Sequence, residues 1–172
     1  MERKVVKKQY SSKNCLICGV DNKLGLHTEF YELDNGDVVG VFKTLEEHQS
    51  YPGRVHGGIA GALLDETVGR VINLIEKDTW GVTIELQVKY RKPIPLCTEL
   101  RVVGRITKNT HRMFEGEGEI LLEDGTVAAT GKARYMKIPV EKIASGEFSE
   151  DDWFIEEKES DPTSFDLPEV KK

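Results

Sequence analysis

The feature that most constrains this chain is a change of hydrophobic period near Trp80-Gly81. Before it, from Ile59 to Ile75, apolar residues recur at helical spacing. At about 100° per residue, Ile59, Ala60, Leu63, Leu64, Val68, Val71, Leu74 and Ile75 fall on one broad face, with Ile72 at its margin. After it, Val82, Ile84, Leu86, Val88 and Tyr90 alternate with Thr83, Glu85, Gln87 and Lys89, the period of a strand with one apolar and one polar face. Pro93 and Pro95 end that strand. Leu100, Val102 and Ile106 mark the next, followed by Met113 to Leu122 with Glu115, Glu117 and Glu119 outward, and by Val127 to Ile138 beyond an Asp124-Gly125 turn. A helix with so broad an apolar face needs a sheet around it, and strands that follow one another through short turns make that sheet antiparallel.

Two further strands precede the helix. Leu26 to Leu33 and Val38 to Phe42 flank Asp34-Asn35-Gly36-Asp37, a hairpin signal, and the polar stretch Lys43 to Val55 reads as a loop leading into the helix. The expected class is therefore α+β, in the order strand, strand, helix and then four strands. A chain of 172 residues holds one compact domain, set at 15–139, with 1–14 as an N-terminal extension and 140–172 as a tail. Glu147, Glu150, Asp151, Asp152, Glu156, Glu157, Glu159 and Asp161 make that tail acidic. It is expected to be flexible or loosely docked through Trp153, Phe154 and Phe165, and dispensable for the fold.

Composition narrows the function classes. Hydrophobic residues make up 38%, yet no stretch approaches the ~18 consecutive apolar residues of a membrane span, so a soluble protein with no membrane partner is expected. The basic start Arg3-Lys4-Val5-Val6-Lys7-Lys8 leads into no apolar signal region, and the odd count of three cysteines argues for reduced thiols, so the expected location is cytoplasmic. A formal charge of −6 without a basic stripe disfavours nucleic acid.

The chemistry concentrates at the helix. Gly57, Gly58, Gly61 and Gly69 lie in it or at its start, although an interior glycine costs about 1 kcal/mol relative to alanine. Gly58, Asp65 and Gly69 fall within a ~40° sector, with Gly61 nearby, so a carboxylate sits in a lane without side chains. The lane serves either close packing, with Asp65 at the solvent boundary, or a ligand cleft. Free amides at Gly57 and Gly58, at the positive end of the helix dipole, would suit an oxyanion, and Asp65 lies about two turns further on. Glu66 points about 100° away and is expected to be solvated or salt-bridged.

His56-Gly57-Gly58-Ile59 and Leu63-Leu64-Asp65-Glu66, preceded by Tyr51-Pro52-Gly53 and followed by Gly81-Val82-Thr83, resemble the hotdog-fold acyl-CoA thioesterases, particularly the phenylacetate-pathway-like branch. The resemblance covers roughly Cys15 to Ile138. It implies a long central helix wrapped by a curved sheet, a dimer joined through the strand after the helix or a dimer of such dimers, active sites at the dimer interface, and hydrolysis of an acyl-CoA without a cofactor. It implies further that Asp65 is the general base or nucleophile and that a Gly57-Gly58 amide polarises the carbonyl. Thr83 matches a water-holding serine or threonine from the partner subunit; by alternation alone it is an ordinary threonine on the polar face. Gln49 and Ser50 stand near the family's loop amide, and His56 reads as a loop-orienting histidine more than as a base.

Arg54, Arg91, Lys92 and Lys108 are rim candidates for coenzyme A phosphates, set against a simple solvated surface. Cys15-Leu16-Ile17-Cys18-Gly19 has half the spacing of a zinc site, with His27 or Cys97 needed to complete a ligand set, and no metal is expected. Two other functions compete: a hotdog module that binds acyl-CoA without hydrolysing it, and a hydratase or dehydratase, for which no His-Phe-Pro type segment is present.

Overall fold

The computed structural model describes residues 1–146, 149 and 152–168; Glu147, Glu150 and Asp151 of the acidic tail lie outside the described residues. In chain order the elements are β1 (Glu2–Lys8), β2 (Ser11–Ser12), β3 (Glu29–Leu33), β4 (Val38–Lys43), α1 (Gly57–Arg70), β5 (Gly81–Tyr90), β6 (Glu99–Asn109), β7 (Met113–Leu121), β8 (Val127–Lys137), α2 (Val140–Ile143), β9 (Trp153–Phe154) and β10 (Ser164–Asp166). Eight strands form one sheet in the order β10-β1-β3-β4-β6-β7-β8-β5, each neighbouring pair antiparallel. The class is α+β, with a central helix packed on a long antiparallel sheet.

Period two divides the sheet into two apolar faces. Phe30, Phe42, Val102, Ile120 and Ala129 point toward α1 and bury Ala60, Leu63, Leu64 and Val71. The helix lies close because β7 and β8 are small beneath it: a Cβ at Gly116 would come within 2.6 Å of Val68 Cγ1, and one at Gly131 within 3.2 Å of Leu64 Cβ. The helix also ends sooner than its pattern suggests. Val71–Leu74 tightens to a 3-10 turn, which leaves Ile75, expected on the apolar face, exposed to solvent.

The intervening residues Tyr31, Leu33, Val39, Val103 and Leu121 form a second apolar cluster on the opposite face, and Phe165 and Leu167 complete it. That face explains why both termini belong to the sheet, against the expectation that set 1–14 and 140–172 outside the domain. β1 pairs with β3, and β10 pairs with β1. Met1 carries the junction, its amine 2.7 Å from Asp166 Oδ1. Alternation within Ser164-Phe165-Asp166-Leu167 seats two apolar side chains on the sheet, a pattern too short to stand out among the acidic residues around it. Trp153, further back in the tail, stacks on Tyr10 and meets Trp80.

β5 lies at the other edge of the sheet. Among the described residues no strand pairs with its far side, and Ile84, Leu86 and Tyr90 are 47%, 36% and 57% exposed. Its pairing with β8 slips between Thr83 and Glu85, where a bulge adds one residue.

Candidate active site

That bulge decides where Thr83 points. Uninterrupted alternation places Thr83 with Glu85, Gln87 and Lys89 on the polar face. One extra residue reverses the phase, so Thr83, opposite Tyr135, turns toward the helix as Val88 and Tyr90 do. Thr83 Oγ1 donates to Asp65 Oδ1 at 2.8 Å. The resemblance assigned this position to the partner subunit; in this chain Thr83 serves the Asp65 of its own protomer.

Tyr135 is the second donor. Its hydroxyl lies 2.7 Å from the Asp65 carbonyl oxygen and 3.1 Å from Oδ1, so one proton is shared between backbone and carboxylate. Both donors fall on Oδ1, and Oδ2 has no hydrogen-bond partner among the described residues. Burial pushes the Asp65 carboxyl above the usual aspartate range; the Thr83 and Tyr135 hydroxyls hold it partly down, and the nearby Glu66 charge raises it again. Burial and the Asp65 charge raise the Tyr135 phenol well above its usual value, so it stays a neutral donor. No cation is paired with Asp65 among the described residues.

Asp65 lines a cleft of about 410 Å³ whose walls also include Glu66, Gly69, Thr83, Tyr135, Cys15 and Trp153. On the Glu66 side the chemistry is different. Arg70 Nη2 lies 2.8 Å from Glu66 Oε1, Arg70 Nε donates to the same oxygen at 2.9 Å, and Arg70 Nη2 reaches Cys18 Sγ at 2.9 Å. Glu66 is thus salt-bridged, as its helical angle suggested.

The glycine lane is divided between the two uses left open by the sequence. Close packing accounts for Gly57, where a Cβ would come 3.3 Å from the Tyr90 ring, and for Gly69, where it would come 3.3 Å from Tyr135. The cleft opens beside Asp65 and Gly69 only. At the helix start, His56 Nδ1 accepts from Gly58 N–H at 2.9 Å, which makes His56 the N-cap of α1. Gly57 N–H is then the amide of the pair without an intrahelical or side-chain acceptor. Its carbonyl accepts from Tyr90 OH at 2.7 Å, and it stands eight residues, or ~12 Å at ~1.5 Å per residue, from Asp65.

Residues 52–129 match the family described as the thioesterase superfamily. Over that stretch, 78 of the 172 residues, the chain is similar to the thioesterase superfamily. Human acyl-coenzyme A thioesterase 13 is 26% identical over 73 residues, 42% of this chain and 52% of that protein. Mouse acyl-coenzyme A thioesterase THEM4 is 26% identical over 114 residues, 66% of this chain and 48% of that protein. The chain thus spans about half the length of these curated relatives. Among solved structures, the thioesterase superfamily protein RHA08564 superposes with a TM-score of 0.64 at 29% identity, covering 71% of this chain and 59% of that one. BH2602 from Bacillus halodurans, solved with CoA, gives 0.59 at 27% identity, covering 66% and 75%. The fold is the hotdog fold of that superfamily.

The other thioesterase candidates gather at the helix N-terminus, away from the Asp65 cleft. Gln49 Oε1 accepts from Gly53 N–H at 2.8 Å and closes its own loop, with Ser50 N–H on the Arg54 carbonyl at 2.9 Å. Arg54 bridges to Pro95, and the amides of Arg91 and Lys92 bond the Ala128 carbonyl at 2.8 and 3.0 Å, leaving all three side chains exposed at that end. Lys108 sits elsewhere, near Glu115. Cys15 and Cys18 meet Glu66 rather than His27 or Cys97, the three ligand atoms lying within 4.8 Å of one another.

Tyr135 and Tyr90 are the residues that sequence reasoning missed. A signal exists for the first: Ala129, Gly131 and Ala133 are small at every inward position of β8, and Tyr135 ends that row with a polar tip.

Proposed function

We propose that this chain hydrolyses an acyl-CoA thioester to the free acid and coenzyme A, with Asp65 as general base or nucleophile. The observation that carries the reading is the Asp65 carboxylate itself. It lies in a cleft, oriented through Oδ1 by two neutral hydroxyls, with Oδ2 bare and no cation to quench its basicity. Oδ2 is the atom that takes a proton from water or attacks the carbonyl carbon. The curated relatives' names and the CoA in the Bacillus halodurans structure support the substrate class.

The oxyanion donor is the Gly57 N–H, an interaction typically worth ~3–4 kcal/mol to the transition state. Tyr90 lies against Gly57 and Thr83 against Asp65, so the two half-sites mark opposite ends of β5. If the bare edge of β5 pairs antiparallel with a second copy, the Tyr90 end of one protomer meets the Thr83 end of the other, and Gly57 of one copy approaches Asp65 of its partner. The exposed Ile84 and Leu86 favour that pairing, since an uncovered apolar edge invites a strand. The active unit in this reading is a homodimer or a dimer of dimers, with Arg54, Arg91 and Lys92 placed to meet the phosphates of coenzyme A from the rim.

Hydrolysis of a panel of acyl-CoAs, followed with a thiol reagent, tests the reading. Turnover is expected in the wild type, and Asp65→Asn should lower it by ~10²–10⁴-fold while acyl-CoA binding persists. Asp65→Glu should be impaired less completely. Binding without turnover by the wild type would instead mark a non-catalytic module, and full turnover by Asp65→Asn would remove Asp65 from the chemistry.

A further inference from the structure

The proposed hydrolysis does not use the Cys15–Cys18 turn, yet four independent contacts organise it. Gly19 N–H bonds the Cys15 carbonyl at 2.9 Å, and a Cβ at Gly19 would overlap the Cys15 backbone, so this tight turn needs its glycine. The turn brings the two Sγ atoms within 4.8 Å of each other. Cys15 lines the Asp65 cleft, half-buried, whereas Cys18 is buried beneath it. Ile17 N–H donates to Cys15 Sγ at 3.3 Å, Arg70 Nη2 stands 2.9 Å from Cys18 Sγ, and Glu66 Oε1 lies 3.9 Å from Cys18 Sγ as a proton acceptor.

This arrangement divides labour between the thiols. The neighbouring Cys18 thiol, aided by backbone amides, lowers Cys15 to about 6 against the opposing effects of burial and Glu66, which favours the Cys15 thiolate. The neighbouring Cys15, followed by burial, raises Cys18, while Arg70 acts in the other direction. Once Cys15 no longer carries charge, the first of these causes disappears; burial and Glu66 still oppose a Cys18 thiolate, and Arg70 favours it. A metal fits less well: the Arg70 guanidinium already touches both Cys18 Sγ and Glu66, where a shared cation would have to sit.

We propose that Cys15 and Cys18 form a thiol–disulfide exchange site whose substrate is a low-molecular-weight disulfide, with Cys15 attacking first and Cys18 resolving. The Cys15 thiolate attacks one sulfur of the disulfide R–S–S–R, whose S–S bond breaks to release RS⁻, and a Cys15–S–S–R bond forms. The released RS⁻ takes the proton of Cys18, whose thiolate, held by Arg70, attacks Cys15 Sγ and expels the second RS⁻. Solvent protonates that second leaving thiolate. The protein dithiol loses two electrons to the small disulfide, which becomes two thiols. None of this rests on the thioesterase reading.

The test uses the full chain in a Cys97→Ser background, equilibrated in glutathione/glutathione disulfide mixtures, alkylated and weighed. Both remaining thiols should disappear together as the disulfide fraction rises, with the mass of two hydrogens lost, and dithiothreitol should restore both. Cys18→Ser should accumulate a glutathione adduct on Cys15, and Cys15→Ser should react at least roughly tenfold more slowly than Cys18→Ser. The proposal is overturned if both thiols stay alkylatable throughout, if Cys18→Ser carries no adduct at Cys15, or if the wild-type protein holds stoichiometric zinc that protects both.

Discussion

Two carboxylates stand side by side on α1 and face one cleft from different walls. Asp65 is held by two neutral hydroxyls and meets no cation; Glu66 is held by a guanidinium. Neutral donors fix a carboxylate's direction at a modest cost in basicity, whereas an adjacent Arg favours the charged form strongly and makes the group a structural anchor. The difference teaches which of two neighbouring acids is available for proton transfer, something spacing along a helix does not show. The Glu66 wall supports the turn that carries the thiols, and the Asp65 wall is the one the proposed hydrolysis uses.

The comparison breaks most visibly at Arg70, which is 4% exposed and bonds Glu66, Cys18 and the Tyr10 carbonyl while stacking on Phe30. Arg70→Met leaves a partly buried carboxylate without its cation and should cost about 3–5 kcal/mol in denaturant unfolding. On the other wall, Tyr135→Phe and Thr83→Ala each remove one hydrogen bond to a charged oxygen, so each should lower stability by up to about 1.5–3 kcal/mol and hydrolysis by ~10–100-fold. Glu66→Gln keeps shape and should leave the hydrolysis rate within ~3-fold, because its side chain does not serve the reacting carboxylate. The smallest effect concerns stability. Since folding raises the Asp65 pKa, the folded state binds the proton more tightly, and stability falls as pH rises through the folded value. At pH 7 that penalty is fully present, so Asp65→Asn should unfold no more easily than the wild type, and a melting temperature several degrees below it would contradict this.

Much of the fold was legible because burial writes a period into the chain. The helix face, the hairpin at Asn35-Gly36 and the strands from Val82 to Ile138 all follow from it, and Gly36 and Gly125 do adopt the positive φ that their turns require, 82° and 78°. What was not legible depended on partners distant in sequence. β10 is three residues long and means nothing until the outer face formed by Val39, Val103 and Leu121 exists to receive Phe165. The inward turn of Thr83, a position the resemblance had singled out, was hidden by a bulge that a period-two reading has no means to register, and Tyr135 by the 70 positions that separate it from Asp65. Asp65 was found because an acid among glycines on an apolar helix is locally anomalous. The helix start was only half read, since the loss of Gly58 N–H to His56 is a matter of a single 2.9 Å bond.

The central claim is that Asp65 is the ionising base and that neutral donors tune it, and the pH dependence of kcat/KM for wild type and Thr83→Ala tests it most directly. The account predicts an acid limb above the ordinary aspartate value of ~3.9, because burial disfavours the ionised form. In Thr83→Ala the limb should move further up, since a donor that favours the carboxylate has been removed. A limb at or below the ordinary value, or one that does not move or moves down in Thr83→Ala, would contradict the assignment.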